Sequence, residues 1–134
     1  SDLIDRVFRA AVEHGAAIPG SPIHETVKRV GPTGVILETI PRAGLFTAQT
    51  PQAFRLDWLR EAHANRPRLN APITDDAQLV EALGRPVRLV DGSPWNLKIT
   101  TPTDLTLASA FLRSMPQPQA HRPAHPFANE REMW

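Results

Sequence analysis

Apolar positions recur with two different periods along this chain, and each change of period marks an element. Over residues 2–14, Ile4, Val7, Phe8 and Ala11 fall at i, i+3, i+4 and i+7, one stripe of a helix. Ser1 or Asp2 can cap it, Asp2 and Asp5 suit the positive end of its dipole, and His14-Gly15 reads as its stop. The short apolar run 16–18 predicts a buried strand, ended by Pro19-Gly20. Residues 23–37 then read as a hairpin. IHETVKRV and VILETI are rich in β-branched residues and flank Gly31-Pro32-Thr33-Gly34, a turn signal. A two-stranded arm of this kind buries little by itself and needs something to lie against.

Helical spacing returns over 54–66, with Phe54, Trp58, Leu59 and Ala62 on one side, and RPRLNAP over 66–72 reads as a loop. Thr74 is the predicted N-cap of DAQLVEALG, with Asp75 and Asp76 in the first turn and Gly84 just past the end. Residues 87–90 predict a strand, Asp91-Gly92 a turn, and 97–100 another short strand. Thr101-Pro102-Thr103-Asp104 opens a last helix with a hydroxyl cap, proline at the first position and a carboxylate three residues on. Leu105, Ala108, Phe111 and Leu112 supply its apolar side. Beyond Met115 the text PQPQAHRPAHPFANEREMW holds four of the 14 prolines and no periodicity, so 116–134 predicts a disordered tail or linker. His121 and His125 stand four apart there, but Pro123 between them argues against a helical metal pair.

Composition narrows this picture more than it enlarges it. A length of 134 residues, 41% hydrophobic and 22% charged, fits one globular domain and no more. Fifteen Lys and Arg against 14 Asp and Glu leave a formal net charge of +1, which suggests neither a nucleic-acid partner nor a membrane surface. The absence of cysteine excludes disulfides, thiolate catalysis and cysteine-ligated zinc, and suits a reducing compartment. No run of about 18 apolar residues offers a membrane span, and the charged start SDLIDRV is not a signal peptide. The chain begins with Ser1 and not with methionine, so a piece of a longer protein is expected.

Candidate chemistry concentrates in 39–54, TIPRAGLFTAQTPQAF. It carries one guanidinium (Arg42), three hydroxyls (Thr39, Thr47, Thr50), two amides and two prolines, but no carboxylate. Such a segment can donate hydrogen bonds to an anion without repelling it, and a guanidinium grips a phosphate or carboxylate through two parallel N–H bonds. Pro41 and Pro51 make a long central strand unfavourable here, and Gly44 allows a bend. An ordinary strand-and-turn segment with one exposed arginine fits the same spacing. Elsewhere, Asp75 and Asp76 read either as partners of a helix dipole or as a metal pair, and Lys98 as a strand-end lysine or a ligand-binding one.

TIPRAGLFTAQTPQAF, ITDDAQLVEALG at 73–84 and GSPWNLKITTPTDLTLA at 92–108, in that order, resemble the methylerythritol phosphate cytidylyltransferases of isoprenoid biosynthesis. The likeness covers about residues 2–112 and only the C-terminal part of the family's chain. Ribitol phosphate cytidylyltransferases share the TPQ-, TDD- and NIKITTP-like runs, whereas the RAGLFTAQ spelling is closer to the methylerythritol enzymes.

The resemblance implies a Rossmann-like α/β nucleotidyltransferase fold, here the C-terminal part of a three-layer α/β/α sheet, over 1–115. A β-arm over about 22–50 would protrude from it and cross to a second subunit of a homodimer. It implies transfer of CMP from CTP to 2-C-methyl-D-erythritol 4-phosphate with release of pyrophosphate, helped by Mg2+, in the cytoplasm. Lys98 and Arg42 would be catalytic, and Thr26, Arg42, Thr50, Thr74 and Lys98 would bind substrate, with Thr26 and Arg42 supplied by the partner's arm. Two features of the family are missing from the text: a Gly-rich basic loop for the CTP triphosphate, and an Asp-Ala-Ala-Arg-Pro-like run whose aspartate helps hold magnesium. No metal ligand is therefore expected in this chain, and by itself it should not turn over CTP. Trp95 stands where the family has a small or acidic residue, which predicts a changed loop surface. Ribitol 5-phosphate transfer, or an arm-mediated dimerisation module without catalysis, remain the alternatives, and a Pro-rich tail is where a fused cyclodiphosphate synthase would begin.

Overall fold

Two adjacent alanines, Ala16 and Ala17, face opposite sides of a strand, and two separate cores are built on them. The computed structural model describes residues 2–114, and the chain divides into two units, 1–98 and 99–134. The first unit contains α1 (Asp2–His14), β1 (Ala16–Pro22), β2 (Val27–Val30), β3 (Ile36–Ile40), β4 (Phe46–Ala48), β5 (Ala53–Phe54), α2 (Leu56–Asn65), α3 (Asp76–Ala82) and β6 (Arg88–Asp91). The described part of the second is the helix α4 (Pro102–Ser114). Ala17 joins Val7, Ala11 and Ala53 beneath α1, while Ala16 joins Ala62, Leu79 and Val80 beneath α2 and α3. Because successive side chains of a strand point to opposite faces, this is a sheet covered on both sides, three layers deep.

β1 is the axis of that sheet. β6 runs parallel to it along one edge, from Ala17↔Arg88 to Gly20↔Asp91. Two short strands run antiparallel along the other edge, β4 from Gly20↔Ala48 to Pro22↔Phe46 and β5 at Ala16↔Phe54 and Ala17↔Ala53. Between Gly20↔Ala48 and Ala17↔Ala53, β1 advances three residues and the facing segment five, so two residues are pushed out of the ladder at 49–52. The Thr50-Pro51 peptide within this bulge is cis.

The strand predicted to end at Pro19 instead continues through it to Pro22. The Pro19 carbonyl accepts the Gln49 N–H at 2.8 Å, so its own donor-less nitrogen faces the same edge, at the bulge. A proline is tolerated there because the ladder is already open. The helix stripe also shifts. Val7 and Ala11 are buried with Leu3 and Ala10 packed beside them, whereas Ile4 and Phe8 are 42% and 56% exposed. The sheet under α1 is narrow, and only one of the two apolar rows on the helix meets it.

Between β1 and β4 the chain leaves the sheet as an arm. β2 and β3 pair from Val27↔Ile40 to Val30↔Ile36 with an irregularity between Arg29 and Val30, and the turn closes through Gly31 and Gly34. Gly34 has φ +81°, a left-handed conformation that favours glycine. The root is tied by Ile23 N–H to Leu45 C=O at 3.1 Å and by the Arg42 guanidinium, which donates to the His24 carbonyl. The two-stranded sheet occupies 27–40, and 46–48 is already back on β1.

Three further expectations need correction. Asp75, not Thr74, caps α3: its carboxylate accepts the Gln78 N–H at 3.0 Å, where a full negative charge also suits the helix dipole. The turn after β6 lies at Pro94-Trp95, because Asp91 remains paired and the Gly92 N–H continues the ladder to Gly20 C=O at 2.8 Å. Residues 97–100 form no strand; Thr100 instead donates its N–H and hydroxyl to Asp104.

Taken by itself, α4 starts as the sequence predicts. Thr101 Oγ1 accepts the Asp104 N–H at 3.2 Å and Asp104 accepts the Thr101 N–H at 2.8 Å, a reciprocal capping box. No residue of α4 is buried; of its predicted apolar side, Leu105 is 57% and Leu112 64% exposed, while Ala108 and Phe111 are half-buried. The predicted tail, 116–134, and the Ser1 cap lie outside the described residues.

Candidate functional site

The bulge at 49–52 turns the middle of TIPRAGLFTAQTPQAF away from the sheet and toward the segments that follow β6 and precede α3. Around it lies a cleft of about 240 Å³ lined by Thr50, Gln52, Thr74, Asp75, Asn96 and Lys98, among others. It continues past Thr50, Gln52, Thr74 and Asp75 into a second hollow of about 330 Å³ that adds Arg66 and Asp76. Three stretches far apart in sequence thus converge at one place.

Hydrogen bonds fix the walls. Gln52 Nε2 donates to Asp75 Oδ2 at 2.9 Å, tying the bulge to the cap of α3. Gln78 reaches back from the first turn of that helix, and its Oε1 accepts the Thr74 N–H at 2.9 Å and the Thr74 hydroxyl at 3.2 Å. On the opposite wall the Asn96 amide donates to Thr50 C=O at 2.6 Å. Lys98 follows two residues later. Its ammonium, and the Arg66 guanidinium in the second hollow, have no hydrogen-bond or ion-pair partner among the described residues.

Both signs of charge meet here. Lys98 lines the cleft as an uncommitted cation together with Asp75, which holds two hydrogen bonds, and Asp76, paired with His63 at 3.0 Å, shares the second hollow with Arg66. An anion is favoured beside Lys98 and opposed beside the carboxylates, where hydroxyl groups fit better. Asp75 has one protein donor on each oxygen, and Asp76 meets the His63 imidazole through Oδ1. Among the described residues no group of three His, Asp or Glu side chains is arranged to hold a metal.

Of the five residues singled out from the sequence, Thr50, Thr74 and Lys98 line this cleft, and Thr26 and Arg42 do not. Both of the latter stand exposed at the root of the arm. Sequence reasoning does not single out Gln49, Gln52, Asn96 or Arg66, and it offers Asp75 only as a dipole partner or a metal ligand. The two glutamines are the amides of the central stretch and Asn96 opens the NLKITTP run, which are usable signals; Arg66 carries none. A second groove, between α1 and β5–α2, is lined mostly by apolar residues such as Phe8, Val12 and Leu59 and has few converging polar groups.

The chain is similar to known proteins over most of its length. The family described as IspD, 2-C-methyl-D-erythritol 4-phosphate cytidylyltransferase, matches residues 1–114. The chain is 48% identical over 110 residues to the enzyme of that name from Synechococcus sp. (strain WH7803), covering 82% of this chain and 49% of the relative. It is 48% identical over 111 residues to the one from Pelotomaculum thermopropionicum, covering 83% and 47%. The crystal structure of 2-C-methyl-D-erythritol 4-phosphate cytidylyltransferase from Thermus thermophilus superposes with a TM-score of 0.73 at 44% identity, over 84% of this chain and 55% of that one. The chain spans about half the length of the curated relatives it matches. With the α/β nucleotidyltransferase fold shared as well, the chain belongs to the 2-C-methyl-D-erythritol 4-phosphate cytidylyltransferase family.

Proposed function

We propose that the protein carrying this chain transfers CMP from CTP to 2-C-methyl-D-erythritol 4-phosphate, a cytoplasmic step of non-mevalonate isoprenoid synthesis, and that this chain supplies the acceptor side of the site. The observation that carries the reading is the convergence of Thr50, Thr74 and Lys98 on one cleft in a member of this family. A phosphate oxygen of the acceptor attacks the α-phosphorus of CTP. The bond from that phosphorus to the bridging oxygen breaks, and pyrophosphate leaves with the electron pair. The nucleophile is already ionised at neutral pH, so no general base is needed. Positioning and charge neutralisation are what the protein contributes.

In this reading Lys98 takes the acceptor phosphate, Thr50 lies beside it, and the Thr74 and Asp75 end receives the polyol hydroxyls. Thr26 and Arg42 belong to the same reaction through a homodimer whose arm reaches the neighbour's cleft. The exposed Val30, Val35, Ile36 and Leu37 on the arm are consistent with that use. A divalent cation, Mg2+ in the first instance, would neutralise triphosphate charge. In this reading the main aspartate that holds it belongs to a part of the protein outside this chain.

The test is pyrophosphate release by the complete protein that carries this chain, given CTP and Mg2+ with either methylerythritol phosphate or ribitol 5-phosphate. Preference for methylerythritol phosphate is expected. Preference for ribitol 5-phosphate, or no release with either, would overturn the assignment.

A further inference from the structure

Gln49 is half-buried where the chain leaves the ladder, and its amide is bonded to capacity. Nε2 donates to Ser21 Oγ at 3.1 Å and to Ser93 C=O at 2.9 Å. Oε1 accepts the Ser93 N–H at 3.2 Å and an Asn96 Nδ2 proton at 3.4 Å. A primary amide has two N–H groups and two lone pairs, so no capacity is left for a ligand. The exchange with Ser93 is reciprocal, like that between two paired residues of an antiparallel ladder. It also fixes which way the amide lies, because the flipped amide would set Oε1 against the Ser93 carbonyl.

The surroundings are shaped to this side chain. A Cβ on Gly92 would run into Gln49 Oε1 and the Gly20 carbonyl, so only glycine leaves room for the amide. The 93–96 turn is closed on itself by Asn96 N–H to Ser93 C=O at 3.0 Å and is tied to Thr50 by the second amide, Asn96. Downstream of that turn comes Lys98, which has no bonded partner of its own among the described residues. Past the turn, Leu97 N–H donates to Trp95 C=O at 3.0 Å, and Lys98 is the next residue.

We propose that Gln49 is a positioning residue for cytidylyl transfer: by clamping the 93–96 turn to the bulge it sets Lys98 opposite Thr50, so that both meet one bound phosphate. The assignment rests on the transfer reaction proposed above. Misplacing a reacting or charge-bearing group by about 1 Å is enough to lose on the order of a hundredfold in rate. A side chain that touches no substrate can therefore matter as much as one that does.

Two measurements on Gln49→Met, which keeps length and removes every side-chain hydrogen bond, decide the matter. In the complete protein, kcat/KM for the acceptor is expected to fall at least about tenfold, with little further loss when the change is made in a Lys98→Ala background. Full additivity with Lys98→Ala would overturn the proposal, because it would mean that Gln49 acts on something else. In the same complete protein, amide exchange should quicken at Ser93 and Asn96 while the β1–β6 ladder keeps its protection. Unchanged exchange at Ser93 would overturn the clamp without reference to turnover, and loss of protection across the whole sheet would reduce Gln49 to a folding role. A wild-type protein that transfers no CMP would overturn the reaction and the catalytic half of this proposal; the exchange result would still judge the clamp.

Discussion

The cleft and the arm both display polar side chains, but they hold them by different means. In the cleft the bonds join distant segments: Gln49 reaches residues 28, 44 and 47 positions away, and Gln52 reaches Asp75. In the arm they join neighbours across a turn, Lys28 to Thr39 at 2.7 Å and Arg29 to Glu38 at 2.5 Å, all exposed. Long-range bonds between partly buried groups fix the relation of three stretches of chain. Exposed cross-strand pairs fix only the register of a hairpin, each worth a few tenths to about 1 kcal/mol and weakened by salt. The cleft is thus preorganised within one chain, while the arm is fixed beyond its root by its own cross-strand pairs.

The largest effect should come from asking whether the two regions act in one chain or across two. Lys98→Ala and Arg42→Ala are each expected to lower kcat/KM for the acceptor at least about tenfold in the complete protein, about 1.4 kcal/mol or more. Mixing the two inactive proteins is the sharper test. If the arm serves the neighbour's cleft, a mixed dimer has one site with both residues intact. Random pairing of equal amounts then restores about a quarter of wild-type activity, following the isologous symmetry of a two-fold dimer. No recovery on mixing would place Arg42 and Lys98 in the same chain's site, or Arg42 in none.

Stability should divide the regions next. Gly15 ends α1 at φ +90°, and a Cβ there would overlap the ring of Trp58. That ring cannot easily yield, since the guanidinium groups of Arg55 and Arg85 lie 5.3 and 5.2 Å from its centroid. Gly15→Ala therefore combines backbone strain with overpacking and should cost about 2–4 kcal/mol in chemical denaturation. Leu37→Ala in the arm, 62% exposed in the single chain, should cost less than about 0.5 kcal/mol in dilute monomer. A large loss for Leu37→Ala under those conditions would mean that the arm is already packed against something.

What the sequence discloses follows the same division. The arm's turn, the Asp104 box and the period of α2 are local patterns, and local chemistry decides them. The cleft's residues are half legible. Thr50, Thr74 and Lys98 stand in recognisable runs, but nothing in those runs announces that Gln49 bonds Ser93 or that Asp75 displaces Thr74 as the cap. The strand through Pro19 escapes a sequence reading because a proline is read as a stop unless the bulge opposite it is known. The stripe on α1 is misplaced because periodicity counts apolar rows without saying how wide a sheet lies under them.

The smallest predicted effect concerns the most local device of all. Asp104 accepts bonds from the Thr100 N–H and hydroxyl and from the Thr101 N–H, and donates its own N–H to Thr101, every partner within four positions. The backbone N–H of Thr100, then the hydroxyl and N–H groups beside it, hold its carboxyl down at about 2 against an ordinary 3.8. A depressed folded-state value means that the contribution is complete above the ordinary carboxylate range and is lost as pH falls through about 2. The start of α4 should accordingly keep its helical amide signals from neutral pH down to about 4 and lose them between there and about 2. Asp104→Asn, which cannot carry the charge, should abolish that transition and leave the arm and the cleft untouched. Amide shifts of 101–105 followed against pH provide the measurement. Coincident loss of the Ser93 and Asn96 signals would show that the cap and the cleft clamp are coupled, and that the contrast between local and long-range bonding is not as clean as the hydrogen bonds make it.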